Sequence, residues 1–332
     1  MTLTNQELIP LLHGAIRTVE QEDGYLALYR FTEKQMTYYK TVTDTRKTSF
    51  YNKAHASSNM RIAFLTDSPF FSFDFRTARA SSRHYYYYDV FVDGLLVHHQ
   101  GEEEVTEGAG TIRVALPEGE HEVCVYCPPL FSTAIANFTV ADGASLAPVH
   151  KKHRMLILGD SITQGYDARF PSQSYANLLA DMLDATSINL GIGGETFNPN
   201  TIDPDFGFDP DIITVAYGSN DFTKCTKEEM IYNANELYRR LREAYPSAKM
   251  FSILPIWRID CVKTYAMRFE EATEIAREAA LKAGSVPIEG LKLVPHMCEF
   301  FADKRVLHPN ELGFNFYANG LYTAMKPHLD EN

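Results

Sequence analysis

The chain has 332 residues, 45% of them hydrophobic and 22% charged, enough for one large domain or two ordinary ones with a well-buried core. A formal net charge of −12 argues against nucleic acid as the main partner, since phosphate binding needs a basic face. The same charge disfavours tight adhesion to an anionic membrane and fits neutral or cationic small molecules, or neutral glycans, as substrates.

Met1 to Ile16 has no basic n-region, and Pro10 and His13 break its apolar stretch. No secretory signal is expected there, and no later run has the length of a membrane span. Five scattered cysteines suit a reducing compartment, so a cytoplasmic location is expected. Cys124-Val-Tyr-Cys127 spells CxxC, but it lies in an alternating run without a second pair at zinc spacing, and reads as two strand residues.

From about Asp23 to Val140, short alternating apolar runs are separated by turn residues. Tyr86 to Val92, then Asp93-Gly94, then Leu95-Leu96-Val97 is a strong hairpin pattern, because Asp-Gly suits a type I′ turn. Strands at this spacing without intervening helices indicate an all-β sandwich or jelly-roll-like domain over residues 1–148, with a short helical segment at its start. Within it, Tyr85 to Tyr88 should alternate faces, two toward the core and two toward the surface. His98-His99 with Glu102-Glu103-Glu104 reads as a solvated loop after the hairpin rather than a metal site. Ala141 to Pro148, rich in small residues, reads as the linker.

After Arg154 the rhythm becomes strand–helix–strand. Met155 to Leu158, Ser187 to Leu190, Ile212 to Ala216 and Met250 to Leu254 read as strands. Between them, Tyr175, Leu178, Leu179, Met182 and Leu183 form one helical stripe, and Thr226-Lys-Glu-Glu229 caps the next helix. A further helix runs from about Thr264 to a cap at Gly284, and a last one starts at Pro309. Such alternation means a mostly parallel sheet covered on both faces over residues 149–332, with its chemistry at the strand carboxyl ends.

Four of those ends carry reactive or donor groups. Gly159-Asp160-Ser161-Ile162-Thr163-Gln164-Gly165 presents a hydroxyl and a carboxylate in a glycine-flanked turn, and Asp160 would repel a phosphate there. Gly191-Ile-Gly193-Gly194-Glu195-Thr196 offers backbone N–H groups, Gly218-Ser219-Asn220-Asp221 offers an amide, and Asp303-Lys-Arg-Val-Leu-His308-Pro309-Asn310 joins a carboxylate to an imidazole.

These four blocks resemble those of the SGNH/GDSL hydrolases. The resemblance covers roughly residues 150–330 and implies a flavodoxin-like three-layer α/β/α sandwich and a serine esterase needing neither metal nor cofactor. It makes Ser161 the nucleophile and His308 the general base and acid. The oxyanion donors it implies are the Ser161 N–H, a second-block glycine (Gly194 rather than Gly193 by register) and the Asn220 amide. The family's acid falls three residues before the histidine, here Arg305. Asp303, five residues before, is the nearest upstream acid, so either Asp303 orients His308 across a bulged loop or the site works as a Ser–His dyad. Asp160 and Trp257 remain as candidate substrate contacts.

An amino-terminal β-domain is similar to that of carbohydrate acetylesterases, which implies a small acyl, acetyl, ester on a small molecule or oligosaccharide. The rival readings are a lysophospholipase or thioesterase, and a non-catalytic glycan-binding protein. No nucleic acid or membrane partner is implied, and a homo-oligomer stays open.

Overall fold

The computed structural model describes residues 1–303 and 306–330. In its carboxyl-terminal half, His153–Gly159, Ala185–Asn189, Ile212–Ala216, Lys249–Ile253 and Val286–Ile288 form a parallel sheet. Ala185–Asn189 lies on one side of His153–Gly159 and the other three follow in chain order on the opposite side. That is the flavodoxin-like order, whose switch point falls between His153–Gly159 and Ile212–Ala216. Four of the strands stand where the apolar runs indicate. Val286–Ile288 has no readable period: it is three residues long with Pro287 in its middle, at a sheet edge where a missing N–H is tolerated.

Alternation along the central strand builds two cores. Leu156 and Leu158 point to one side, with Leu237 and Leu241 of helix Lys227–Ala244 and Ala272 and Ala276 of helix Phe269–Lys282. Met155 and Ile157 point to the other, with Leu179 of helix Tyr175–Met182 and Phe314, Tyr317 and Leu321 of helix Glu311–Leu329. The sheet is thus the middle of three layers. The last helix begins two residues after Pro309. Asn310 caps it, its side chain accepting from the Gly313 N–H at 3.0 Å, while Pro309 is extended and bridges Phe301. A capping side chain needs a non-helical backbone at its own position, which moves the start past Asn310. Helix Phe269–Lys282 likewise starts after Thr264, which pairs with Arg268 in an isolated bridge.

The amino-terminal half holds two antiparallel sheets. One contains Leu12–His13, Arg61–Thr66, His121–Tyr126, Tyr85–Val92 and Leu95–Glu103; the other contains Arg17–Glu20, Leu26–Tyr29, Ala134–Val140, Phe70–Ala78 and Glu107–Ala115. They share an aromatic core that includes Phe64, Phe71, Phe73, Phe75, Tyr88 and Phe138. Tyr86 and Tyr88 are buried there while Tyr85 and Tyr87 are half-buried, as strand alternation requires. Positive φ at both Asp93 and Gly94 fits the type I′ hairpin. Its returning strand runs on to Glu103, so His98 and His99 are strand residues rather than loop residues. The stretch read as a linker ends in Leu146–Pro148, a strand paired with Arg61–Thr66.

This half is not all-β. Helices Glu33–Arg46 and Phe50–Ala54 interrupt it, and Phe31, Met36, Tyr39 and Ala54 enter the core of the parallel sheet. The first helix shows little amphipathic pattern because few of its side chains are buried. Its start is marked, however, by a capping box between Thr32 and Gln35. Among the described residues, no helix is long and apolar enough to cross a membrane.

Candidate active site

The central strand ends at Gly159, and Asp160 caps the short helix Ser161–Gln164 by accepting from the Ile162 N–H at 3.0 Å. Gly165 (φ 92°) and Asp167 (φ 71°) then turn the chain back toward the serine. Asp is one of the few non-glycine residues that takes this conformation readily. His308 arrives from the segment before the last helix and is buried. Its Nε2 lies 2.9 Å from Ser161 Oγ, and its Nδ1 lies 2.8 Å from Asp167 Oδ2. A carboxylate on Nδ1 fixes the tautomer in which Nδ1 carries the proton and Nε2 accepts the serine hydroxyl.

The acceptor on Nδ1 is therefore Asp167, where the sequence reading puts Asp303. Asp303 belongs to the same cluster: its ligand atom and those of Asp167 and His308 all lie within 4.8 Å of one another. The Val306 N–H bonds back to the Asp303 carbonyl and the Ala302 N–H to the His308 carbonyl. Asp167 instead comes from the loop beside Ser161, on the Nδ1 side of the ring. Arg305, at the family's usual position for the acid, lies outside the described residues.

Arg83, from the amino-terminal half, grips Asp167 with both arms of its guanidinium: Nε to Oδ1 at 2.5 Å and Nη2 to Oδ2 at 2.7 Å. Such a fork fixes direction as well as charge. Burial pushes the Asp167 carboxyl up, but the hydrogen bonds and charges of Arg83 and His308 outweigh it and hold the group well below the usual carboxylate range. Tyr166, next to Asp167, is buried in the core shared by the two antiparallel sheets, with its ring centroid 5.3 Å from that of His308 and Arg83 over its face. The loop that carries Asp167 is thus anchored in the amino-terminal half. No sequence pattern announces Arg83 or Tyr166. For Asp167 the available signal is an acid in the loop of Ser161 itself, six residues after it.

The second strand end is braced by a buried arginine. Arg30 donates to the carbonyls of Asn189 (2.6 Å), Gly191 (2.8 Å), Ala56 (2.8 Å) and Lys53 (3.0 Å). Burial lowers its pKa to about 9, leaving it a cation at neutral pH. The Gly193 N–H is taken by Gln164 Oε1 at 2.7 Å, whereas the Gly194 N–H has no acceptor among the described residues. Gly194 sits at φ 87°, a conformation a side chain would strain. Asn220 ties the blocks together, its Nδ2 donating to Asp160 Oδ2 at 3.1 Å and to the Glu195 carbonyl at 3.0 Å. Asp221 accepts from the N–H groups of Gly218 and Phe197, both at 3.0 Å, and burial pushes its carboxyl up to about 7.

Of the two candidate substrate contacts, Asp160 is buried and both its oxygens are engaged, one by Ile162 and one by Asn220. It works as a strut between the first and third blocks. Trp257 is half-buried, stacked on His296 at 5.1 Å and edge-on to Phe301 at 5.5 Å, behind the segment that leads to His308.

With this geometry in view, the family model described as GDSL-like Lipase/Acylhydrolase matches residues 157–315, which carry all four blocks. No match to the sequence was found among curated proteins. Among solved structures, the chain is similar to the salicylyl-acyltransferase SsfX3 from a tetracycline biosynthetic pathway (18% identity, 100% of this chain and 98% of that one, TM-score 0.86). It is also similar to a family two carbohydrate esterase from Cellvibrio japonicus (17% identity, 99% and 97% covered, TM-score 0.63). A family two carbohydrate esterase from Clostridium thermocellum in complex with cellohexaose matches at 17% identity, 82% and 93% coverage and TM-score 0.61. At these identities the likeness is one of fold. Residues 157–315 belong to the GDSL-like lipase/acylhydrolase family, and the chain is a carboxylic ester hydrolase.

Proposed function

We propose that the protein cleaves small acyl esters, acetyl esters of carbohydrates in the first place, through an acyl-enzyme on Ser161. The observation that carries this reading is the continuous relay from Ser161 Oγ through His308 to Asp167, at 2.9 and 2.8 Å. His308 takes the serine proton through Nε2 as Oγ attacks the ester carbonyl, then returns it to the leaving alcohol. Asp167 holds the ring and stabilises the imidazolium without taking its proton. The N–H groups of Ser161 and Gly194 and the Asn220 amide receive the negative charge that develops on the carbonyl oxygen. Water, deprotonated by His308, then attacks the acyl-enzyme and releases the acid.

In this reading residues 1–148 are a jelly-roll-like domain and residues 149–332 the hydrolase domain. The first serves the second by supplying Arg83, Arg30 and the seat of Tyr166. Similarity to carbohydrate esterases supports the substrate class, and five free cysteines support a cytoplasmic setting. A second reading has one specific support, the full-length likeness to an acyltransferase: the acyl group would pass to an alcohol instead of water.

Acetate release from a panel of acetylated sugars, together with rates on p-nitrophenyl esters of increasing chain length, tests the proposal. Preference for acetyl and release of acetate are expected. A preference for eight carbons or more would overturn the acetylesterase reading, and acyl transfer to an added alcohol outrunning hydrolysis would favour the second.

A further inference from the structure

Two ammonium groups crowd the open side of Gly194. Lys53, on helix Phe50–Ala54, donates from Nζ to the Gly193 carbonyl at 2.5 Å, and Lys224, ending helix Asp221–Lys224, donates to the Gly194 carbonyl at 2.6 Å. A methyl-sized group over the Gly194 Cα would stand 3.4 Å from Lys224 Nζ, 3.8 Å from Lys53 Nζ and 4.0 Å from Phe50 Cε1. That point adjoins the Gly194 N–H, which is left open for an oxyanion among the described residues. Lys224 is exposed and Lys53 half-buried, so a ligand can reach both.

Among the described residues, neither lysine has a carboxylate partner. The ion-paired lysines among the described residues are Lys34, Lys40, Lys151, Lys227 and Lys326. The acidic groups that sense the pair, Glu195, Asp160 and Asp221, are all buried, and desolvation pushes each toward its neutral form. Burial, and then the charge of Lys224, lower Lys53 to about 8. Two cations without an ion-pair partner among the described residues repel each other beside the Gly194 turn of a chain with a net charge of −12, and an anion between them would relieve this.

Resting on the acyl-enzyme reading above, we propose that Lys53 and Lys224 recognise an anionic group of the ester substrate, seated over Gly194 beside the reacting carbonyl. A carboxylate, sulfate or phosphate on either the acyl part or the leaving alcohol supplies the same chemistry. This replaces the expectation of a neutral or cationic substrate with that of an acidic ester.

The test compares kcat/KM for matched esters in two arms: p-nitrophenyl hydrogen succinate against p-nitrophenyl acetate for the acyl side, and 4-acetoxybenzoate against its methyl ester for the alcohol side. In one arm, the anionic-to-neutral ratio should fall ~10- to 100-fold in the Lys53→Gln/Lys224→Gln double variant, the range for losing charge-assisted hydrogen bonds. Lys224→Arg should retain it. In the wild type alone, that ratio should fall as salt is raised. Ratios unmoved in both arms, even where both rates drop together, would mean that the lysines only brace the Gly193–Gly194 turn, and would overturn the proposal. So would a wild-type ratio indifferent to salt. An enzyme that a fluorophosphonate labels at Ser161 but that ignores substrate charge refutes this proposal alone; an enzyme that is neither labelled nor active on esters refutes the acyl-enzyme reading along with it.

Discussion

Asp167 Oδ2 accepts from His308 Nδ1 at 2.8 Å across a sequence separation of 141 residues. The relationship decides which carboxylate orients the His308 ring. Asp167→Asn should leave the fold intact but favour the wrong tautomer of His308, lowering kcat by roughly 10,000-fold with little change in KM. Asp303→Asn should cost about tenfold or less, because its carboxylate is not the one on Nδ1. Steady-state kinetics on a p-nitrophenyl ester checks both, and a greater loss in Asp303→Asn would return the orienting role to that residue.

Arg83 acts through Asp167. Removing it with Arg83→Met takes away one of the hydrogen-bonding and charged groups that hold the carboxyl down, so its pKa rises from its depressed value. The acid limb of kcat/KM should then move to higher pH, since the His308–Asp167 pair takes up a proton more readily once the cation beside it is gone. Turnover at neutral pH should drop roughly 10- to 100-fold from misplacement of the ring. A variant that loses activity with an unchanged pH profile would assign Arg83 a purely structural part.

In the resting site both Nδ2 hydrogens of Asn220 are engaged, by Asp160 Oδ2 and by the Glu195 carbonyl, so one of these bonds yields when the amide turns to an oxyanion. Asn220→Ala should reduce kcat by ~100- to 1000-fold, as for the loss of one oxyanion donor. Substrate affinity should hardly change. Weakened affinity with intact turnover would remove Asn220 from the oxyanion site.

Glu195 is buried, and desolvation raises its carboxyl from 4.5 to about 8, against hydrogen bonds from Asn198 and Tyr39. Between those two values the folded state holds a proton that the unfolded state has released. Stability therefore falls as pH climbs through that window, with the full penalty above it. Glu195→Gln keeps a neutral side chain of the same shape and should flatten this dependence. Relative to wild type it should gain on the order of a few kcal/mol at about pH 9, and far less at about pH 5. Urea melts at the two pH values measure it; parallel pH dependences in the two proteins would contradict the assignment.

Much of the parallel sheet and the serine and histidine ends of the relay were legible in the sequence, and the reasons are local. Met155 to Leu158 and Ile212 to Val215 are fully buried, so their apolar runs are continuous, and the motifs follow soon after them. Asp167 was not legible, because a residue brought to His308 by a left-handed turn leaves no spacing to count. Helix Glu33–Arg46 hid for a different reason: it buries Gln35, Met36 and Tyr39 and leaves its other faces to Thr, Lys and Asp, too narrow a stripe for periodicity. Arg83 and Arg30 are invisible to any motif, since their partners, Asp167 and the carbonyls of Asn189 and Gly191, lie in the other half of the chain.

The most direct test of the central claim, that Ser161 is an activated nucleophile, is the intact mass of the protein after treatment with a fluorophosphonate. One adduct, mapped to Ser161, is expected for the wild type, with none in Ser161→Ala and much slower labelling in His308→Ala. No adduct on the folded wild type, or equal labelling of Ser161→Ala, would contradict it.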